Sequence, residues 1–254
     1  MSFFACNNTG RNGVACEDTV IENGIRITPL ELHDTFKLDE NGAESPTLSI
    51  DISLSVIEAE DKSATDNINQ AIAYTLFESD SCDLIAACNN FVTNCKEEYM
   101  EMKADYINSR SDAPWFNNYH IMSSEVESGY KGILNYVIFN EVYTGGAHPN
   151  SYYTALNFDT STGKEIVLQD IFKDDYETRL TQELVVELAE YFKVEPVTEV
   201  VVRGYLINDF YISNNFILGK EKITFIYNRY DIAPYAVGEI MLDIDYNRLK
   251  DVIK

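Results

Sequence analysis

From Thr47 to Ile57 the chain alternates without a break. Leu48, Ile50, Ile52, Leu54 and Val56 fall on one side, and Ser49, Asp51, Ser53 and Ser55 on the other. Successive side chains of a strand point to opposite faces, so this run predicts a strand with one dry and one wet face. A wet face suits an antiparallel sheet better than a parallel sheet buried on both sides. Other stretches read the same way. Gly24–Leu30 is a short strand. Trp115–Glu127 and Tyr130–Tyr143 form a pair around Ser128-Gly129, and Leu134, Tyr136, Ile138 and Val142 share a face with Asn140 among them. Phe216–Tyr227 is a hairpin turning at Gly219-Lys220-Glu221. Glu239–Ile244 is a strand, and a short helix starts at Tyr246.

Between these strands the apolar period lengthens. Ser63-Ala-Thr-Asp66 predicts a capping box with Ser63 as N-cap, ahead of a helix burying Ile68, Ala71, Ile72 and Leu76. A second helix is expected over 81–108, with Ile85, Cys88, Val92, Cys95, Tyr99, Met102 and Tyr106 as its apolar face. A third, over 174–193, buries Tyr176, Leu180, Leu184, Leu188 and Tyr191. Strands, helices, strands, helix, strands in that order define an α+β fold with antiparallel sheets and packed helices.

Net charge and cysteine bound the function. The 254 residues carry a formal charge of -23, which repels a nucleic-acid phosphate backbone and attracts cationic proteins. No apolar run is long enough to cross a bilayer. Met1-Ser-Phe-Phe-Ala-Cys6 reads as the end of a bacterial lipoprotein signal, with Cys6 to be acylated and a polar tether after it. Most of the basic and apolar leader of such a signal is missing, so the true start is expected upstream of Met1. Cys88 and Cys95 stand two helical turns apart, about 10 Å, beyond disulfide reach. They read as thiols packed like small hydrophobes. A bond from Cys16 to Cys82, Cys88 or Cys95 stays open, and no spacing fits a zinc or redox motif.

The segment Tyr143-Thr-Gly-Gly-Ala-His-Pro-Asn150 is a glycine corner. Gly145 and Gly146 allow backbone angles closed to other residues, and Pro149 holds His148 extended. After it come a strand over Ser151–Phe158, a turn at Asp159–Gly163 and a strand over Lys164–Leu168. His148 is the polar candidate of the corner. Tyr143, Tyr152, Tyr153, Tyr227, Tyr230 and Tyr235 are the candidate contact residues, because tyrosine offers a large face with a polar tip. Gly145, Gly146 and Pro149 are assigned structural roles. Neither H-E-x-x-H nor G-x-S-x-G occurs, and no metal or cofactor site is expected. The alternative is a hydrolase using His148 with a nearby carboxylate such as Asp159.

The corner, then Phe158-Asp-Thr-Ser-Thr-Gly-Lys164 and Leu168-Gln-Asp-Ile-Phe172, resembles the extracytoplasmic domains of the lysozyme-sensing anti-sigma factor RsiV. It also resembles the non-catalytic N-terminal region of the peptidoglycan deacetylase PdaC. Tyr230-Asp-Ile-Ala-Pro-Tyr-Ala-Val-Gly238 with Ile240–Ile244 is similar to the end of the second domain of that family. The resemblance runs from about Gly24 to the C-terminus. It implies two α+β units, at 23–145 and 146–254, behind a leader and tether at 1–22. No segment here matches the anti-sigma or the deacetylase catalytic parts. What the resemblance carries over is a non-catalytic, lipid-anchored cell-envelope binding module, expected to recognise lysozyme, another cationic wall-active protein or a cell-wall glycan. If Cys6 is the acylation site, mass spectrometry of the product expressed with its upstream reading frame will find an acylated N-terminal Cys6. An unmodified Cys6 on a soluble product removes the anchor.

Overall fold

The computed structural model describes residues 19–20, 24–42, 44–109, 113–195, 197–198 and 202–254. Cys6 and Cys16 lie outside them. Two sheets carry the chain. The first orders β1 (Thr19–Val20), β2 (Arg26–Lys37), β3 (Thr47–Glu58), β4 (Asn118–Ser128), β5 (Leu134–Tyr143) and β6 (Asn150–Phe158) in sequence. The second orders β7 (Phe216–Leu218), β8 (Lys222–Tyr227) and β9 (Ile240–Asp245). The α+β class read from the sequence is the class observed.

β3 sits at the centre of the first sheet, and its alternation decides what packs where. Leu48, Ile50, Ile52 and Leu54 are buried against Cys88, Val92 and Tyr99 of α2 (Leu84–Glu101). Ile57 joins Ile68, Ile72 and Ala73 of α1 (Lys62–Phe77), with Leu134, Tyr136 and Ile138 of β5. The helices therefore cover one face only. Buried Asn69 of α1 locks this contact, accepting from the Ile57 amide at 3.0 Å and donating to its carbonyl at 2.7 Å. The segment holding α1, α2 and α3 (Lys103–Ser109) is also a crossover, so β4 pairs with β3 in parallel, a departure from the all-antiparallel expectation. The other neighbouring strands pair antiparallel. α5 (Tyr176–Phe192) lays Leu180, Leu184 and Leu188 on Phe225, Leu242 and Ile244 of the second sheet.

Local expectations shift in identifiable ways. The cap of α1 is Asp61, which accepts from the Ala64 amide at 3.0 Å, so Ser63 is already inside the helix. The long helix ends at Glu101 and restarts as α3, and Ile85 stays half exposed while Leu84 and Ala87 face the core. Tyr191 is exposed too. Trp115 stands in a short 3-10 turn before β4, and Tyr130 in another before β5. The strand expected over 164–168 is reduced to one bridge between Glu165 and Phe158. Asp170 accepts from the Val167 amide at 3.1 Å and turns the chain into a one-turn helix, α4 (Leu168–Ile171). Cys82, Cys88 and Cys95 are free thiols. Burial pushes the Cys88 and Cys95 thiols up to about 11, so both are protonated at neutral pH.

The expected division at 145/146 falls between two paired strands. β6 pairs with β5 along nine residues, from Val142↔Asn150 to Leu134↔Phe158. The corner is a hairpin connection inside the first sheet. The second sheet meets that sheet through amide side chains. Asn228 accepts from the Tyr153 amide at 2.7 Å and donates to its carbonyl at 2.9 Å. Asn215 donates to the same carbonyl and accepts from the Ala155 amide, both at 2.8 Å. From the other side Asn157 of β6 donates to the Phe216 carbonyl at 2.8 Å and accepts from the Leu218 amide at 3.0 Å. Asn135 donates to the Leu218 carbonyl at 3.0 Å. The chain at Gly129 passes so close that a Cβ there would lie 2.0 Å from that carbonyl. Replacing buried Asn157 with alanine strands two backbone groups, and the expected loss is about 1–3 kcal/mol of stability in denaturant titration. The exposed Asn41→Ala should leave stability unchanged. Equal stability for both would mean the seam adds nothing.

Candidate functional site

The corner is built by backbone geometry. Gly145 has φ 89° and Gly146 φ 111°, in the region open mainly to glycine. Tyr143 closes the turn by donating its hydroxyl to the Gly146 carbonyl at 2.9 Å. His148 is exposed, and its Nδ1 lies 2.9 Å from the Pro149 carbonyl. A carbonyl only accepts, so Nδ1 is the donor in this contact.

The second sheet supplies the other half. Tyr235 opens a 3-10 turn after Pro234, and its ring stacks on His148 with centroids 4.0 Å apart at 24°. Its hydroxyl lies 3.3 Å from the Pro149 carbonyl. The Arg229 guanidinium is 4.7 Å from the Tyr235 ring centroid and donates to the Tyr235 hydroxyl at 2.9 Å. Glu239 is 3.0 Å from Arg229 Nε, off the N–H direction, so the contact is an ion pair without a hydrogen bond there. Ser151 donates to the same carboxylate at 3.3 Å. Tyr230 stands 5.6 Å from Tyr235, half exposed, at φ 69°. That angle is rare for a bulky residue, and a hydrogen bond donated by the Asn208 side-chain amide to the Tyr230 carbonyl at 2.7 Å holds it.

The candidate tyrosines do not all gather there. Tyr143, Tyr230 and Tyr235 flank the corner with His148. Tyr153 lies on the wet face of the first sheet, against Phe139 at 5.1 Å. Tyr152 points to the opposite face, where it accepts from Asn140 at 2.8 Å. Tyr227 is fully buried in the core of the second sheet and donates to the Tyr211 carbonyl, so it is a core residue and not a contact residue. The Pro149 carbonyl receives both His148 and Tyr235.

The sequence reading missed Tyr119, Ile121, Phe139, Arg229 and Glu239. Tyr119 stacks on Tyr143 at 5.7 Å and donates to Glu141 at 2.9 Å. Burial and that carboxylate push the Tyr119 hydroxyl up to about 12, so it stays a donor at neutral pH. The signal was present: in β4 and β5 every second residue shares a face, which sets 119, 121 and 123 beside 143, 141 and 139. Arg229 and Glu239 had no such signal, because they reach the site only through the packing of the second sheet.

Asp159 does not join His148. It lies nine residues further on from Asn150 along β6, about 30 Å at strand rise. Its Oδ1 accepts from the amides of Ser161 and Thr162 and from both their hydroxyls. Those bonds hold its carboxyl below the usual range. A cavity of about 290 Å³ lies elsewhere, lined by Asn157, Glu165 and Phe216 among others. No cluster of metal-ligating side chains occurs among the described residues.

The fold and this flat aromatic surface define a two-sheet α+β protein, and comparison gives it relatives. Residues 42–151 match the family model "Deacetylase PdaC", and residues 169–247 match "Protein of unknown function (DUF3298)". A crystal structure of a DUF3298 family member from Bacteroides fragilis NCTC 9343 is similar at 27% identity and TM-score 0.77, covering 91% of this chain and 94% of the other. A DUF3298 family protein from Pseudomonas aeruginosa PAO1 shares the fold at 17% identity and TM-score 0.59, covering 90% and 94%. No curated protein matches. The resemblance to these domains read from the sequence thus holds, over residues 42–151 for one and 169–247 for the other.

A Cβ at Gly145 would lie 2.8 Å from the Trp115 carbonyl, whereas one at Gly146 meets nothing within 4 Å. Both alanine variants are strained by their φ, and only Gly145→Ala also clashes. Thermal melts should show Gly145→Ala the less stable of the two, each losing about 1–3 kcal/mol. Unchanged melting with altered ligand binding would reassign these glycines to recognition.

Proposed function

We propose that this protein is a non-catalytic binding module of the bacterial cell envelope, held by an acyl chain on Cys6, that engages a cationic wall-active protein. The observation that carries the reading is the surface ring cluster in which exposed His148 stacks on half-buried Tyr235 and Tyr230 tilts against it. It is fixed in place by Arg229 and Glu239, and among the described residues no carboxylate pairs with His148. Pre-positioned aromatic faces bind with little entropy loss. The charge of -23 would steer a basic partner to it. The resemblance to a lysozyme sensor makes lysozyme the first partner to try. Asp159, the carboxylate suggested for the hydrolase alternative, is tied into its own turn at the far end of β6.

Calorimetric titration of the purified chain with lysozyme tests the reading. Saturable, near-stoichiometric binding is expected at physiological ionic strength, with about a tenfold weaker Kd for Tyr235→Ala. Attraction by charge alone would fade as salt rises and ignore that substitution. In that event the lysozyme reading goes. Saturation by peptidoglycan fragments instead would move the partner to the glycan class.

A further inference from the structure

The face of the first sheet away from the helices carries a pattern that the corner does not explain. β-register aligns His33, Asp51, Ile121, Glu141 and Ser151 in one row across β2 to β6. The next row is Glu31, Ser53, Ser123, Phe139 and Tyr153, and the one on the other side includes Ser49, Tyr119 and Tyr143. Ile121 is 36% exposed at the centre, with no helix over it. Carboxylates flank it on both sides, about 10 Å apart at the usual strand spacing. Glu125 stands four residues further along β4 on the same face, also exposed.

These acids are short of cations. Asp51 has His33 at 2.9 Å and Ser49 at 3.2 Å. Glu141 has only the Tyr119 hydroxyl, and Glu125 pairs with no cation among the described residues. Arg229, at the margin, is already held by Glu239. Lys37 stands at the far end of β2. Rings of Tyr119, Phe139, Tyr143 and Tyr153 occupy the rows on either side of the Asp51–Glu141 row, and a ring face attracts a cation as a carboxylate does. Such a surface is an unfavourable one to leave facing water, with apolar groups exposed and like charges close together.

We propose that this sheet face is the docking surface for a basic protein segment that places an apolar side chain on Ile121 and Lys or Arg side chains against Glu141, Glu125 and Asp51. The proposal rests on the cationic-partner reading and moves the centre of the interface from the corner to the sheet. Charge complementarity selects the occupant: a neutral or acidic strand would leave the carboxylates unpaired and desolvated.

Two probes and matched variants test it at physiological ionic strength: lysozyme, and decalysine. Glu125→Gln/Glu141→Gln keeps the shape and the Tyr119 hydrogen bond while removing two charges. Glu97→Gln/Glu101→Gln removes two charges from the exposed side of α2, behind the sheet. Ile121→Thr keeps the strand propensity, and thermal melts confirm folding. The sheet-face pair should weaken either probe about tenfold, Ile121→Thr should weaken lysozyme, and the α2 pair should change little. Equal effects of the two charge pairs would overturn the docking face while leaving the lysozyme reading intact. Decalysine binding that depends on Glu125 and Glu141, without lysozyme binding, would keep the face and drop lysozyme. Failure of both probes to bind would overturn both proposals.

Discussion

Two sheet edges meet in this protein without forming a ladder, and everything at the candidate site depends on how they are satisfied. β6 ends the first sheet and β7 begins the second, so each presents backbone amides and carbonyls that burial would leave unpaired. Continuing the ladder would fuse the sheets into one and aim the 228–239 segment elsewhere. Instead Asn215, Asn228, Asn157 and Asn135 carry the bonds. An asparagine amide offers one donor group and one acceptor, the same pair as a peptide unit, so it can replace a strand residue while letting the two sheets turn apart. Asn228 is next to Arg229 in sequence. The bond that satisfies the Tyr153 edge therefore also sets the guanidinium beside Tyr235, and so beside His148.

How much of this was readable in the sequence follows from the range of the interactions. The faces of β3, β5 and α5 were legible, because burial periodicity is local: Leu48 to Leu54 and Leu180 to Leu188 fall where their spacing puts them. The corner was legible because φ near 90–110° selects glycine. The end of the long helix at Glu101 was not, since the apolar stripe runs on through Met102 and Tyr106, both packed at the margin of the core. The pairing of the strands on either side of the corner was not legible either. A glycine corner reads alike whether it joins two units or two strands of one sheet, and only the pairing of β5 with β6 distinguishes them. The parallel pairing of β3 with β4 is likewise a property of the crossover, not of either strand.

Tyrosine was the least reliable single-residue signal. Seventeen tyrosines occur, and their fates differ by strand parity. Tyr152 and Tyr153 are neighbours yet face opposite sides of β6. Tyr227 has the same composition-level appeal as Tyr230, but as the last residue of β8 it faces the core, while Tyr230, three residues on, sits beyond the strand end at a positive φ. Its hydroxyl still needs a partner, and the Tyr211 carbonyl provides it, so the polar tip that made it a candidate is consumed internally.

Ile121 separates the demands of folding from those of recognition. In β3 the outward positions are Ser49, Asp51, Ser53 and Ser55, which shows what this sheet requires of its wet side: short polar groups suffice. β-propensity alone does not select isoleucine over threonine at an open position. The core does not need it either, since the dry face of β4 is filled by Met122 against Leu48 and Ile50. An apolar residue at that place thus contributes little to holding the sheet together and adds a hydration cost to the free state. Its companions, Phe139 and the Tyr119–Tyr143 stack, raise the same cost across β4 and β5. A surface whose side chains are not accounted for by stability is the part of a fold where binding is the physical explanation with the most room. Here that surface is continuous with the ring stack at the corner through Tyr143, so the corner and the sheet face read as one recognition area rather than two.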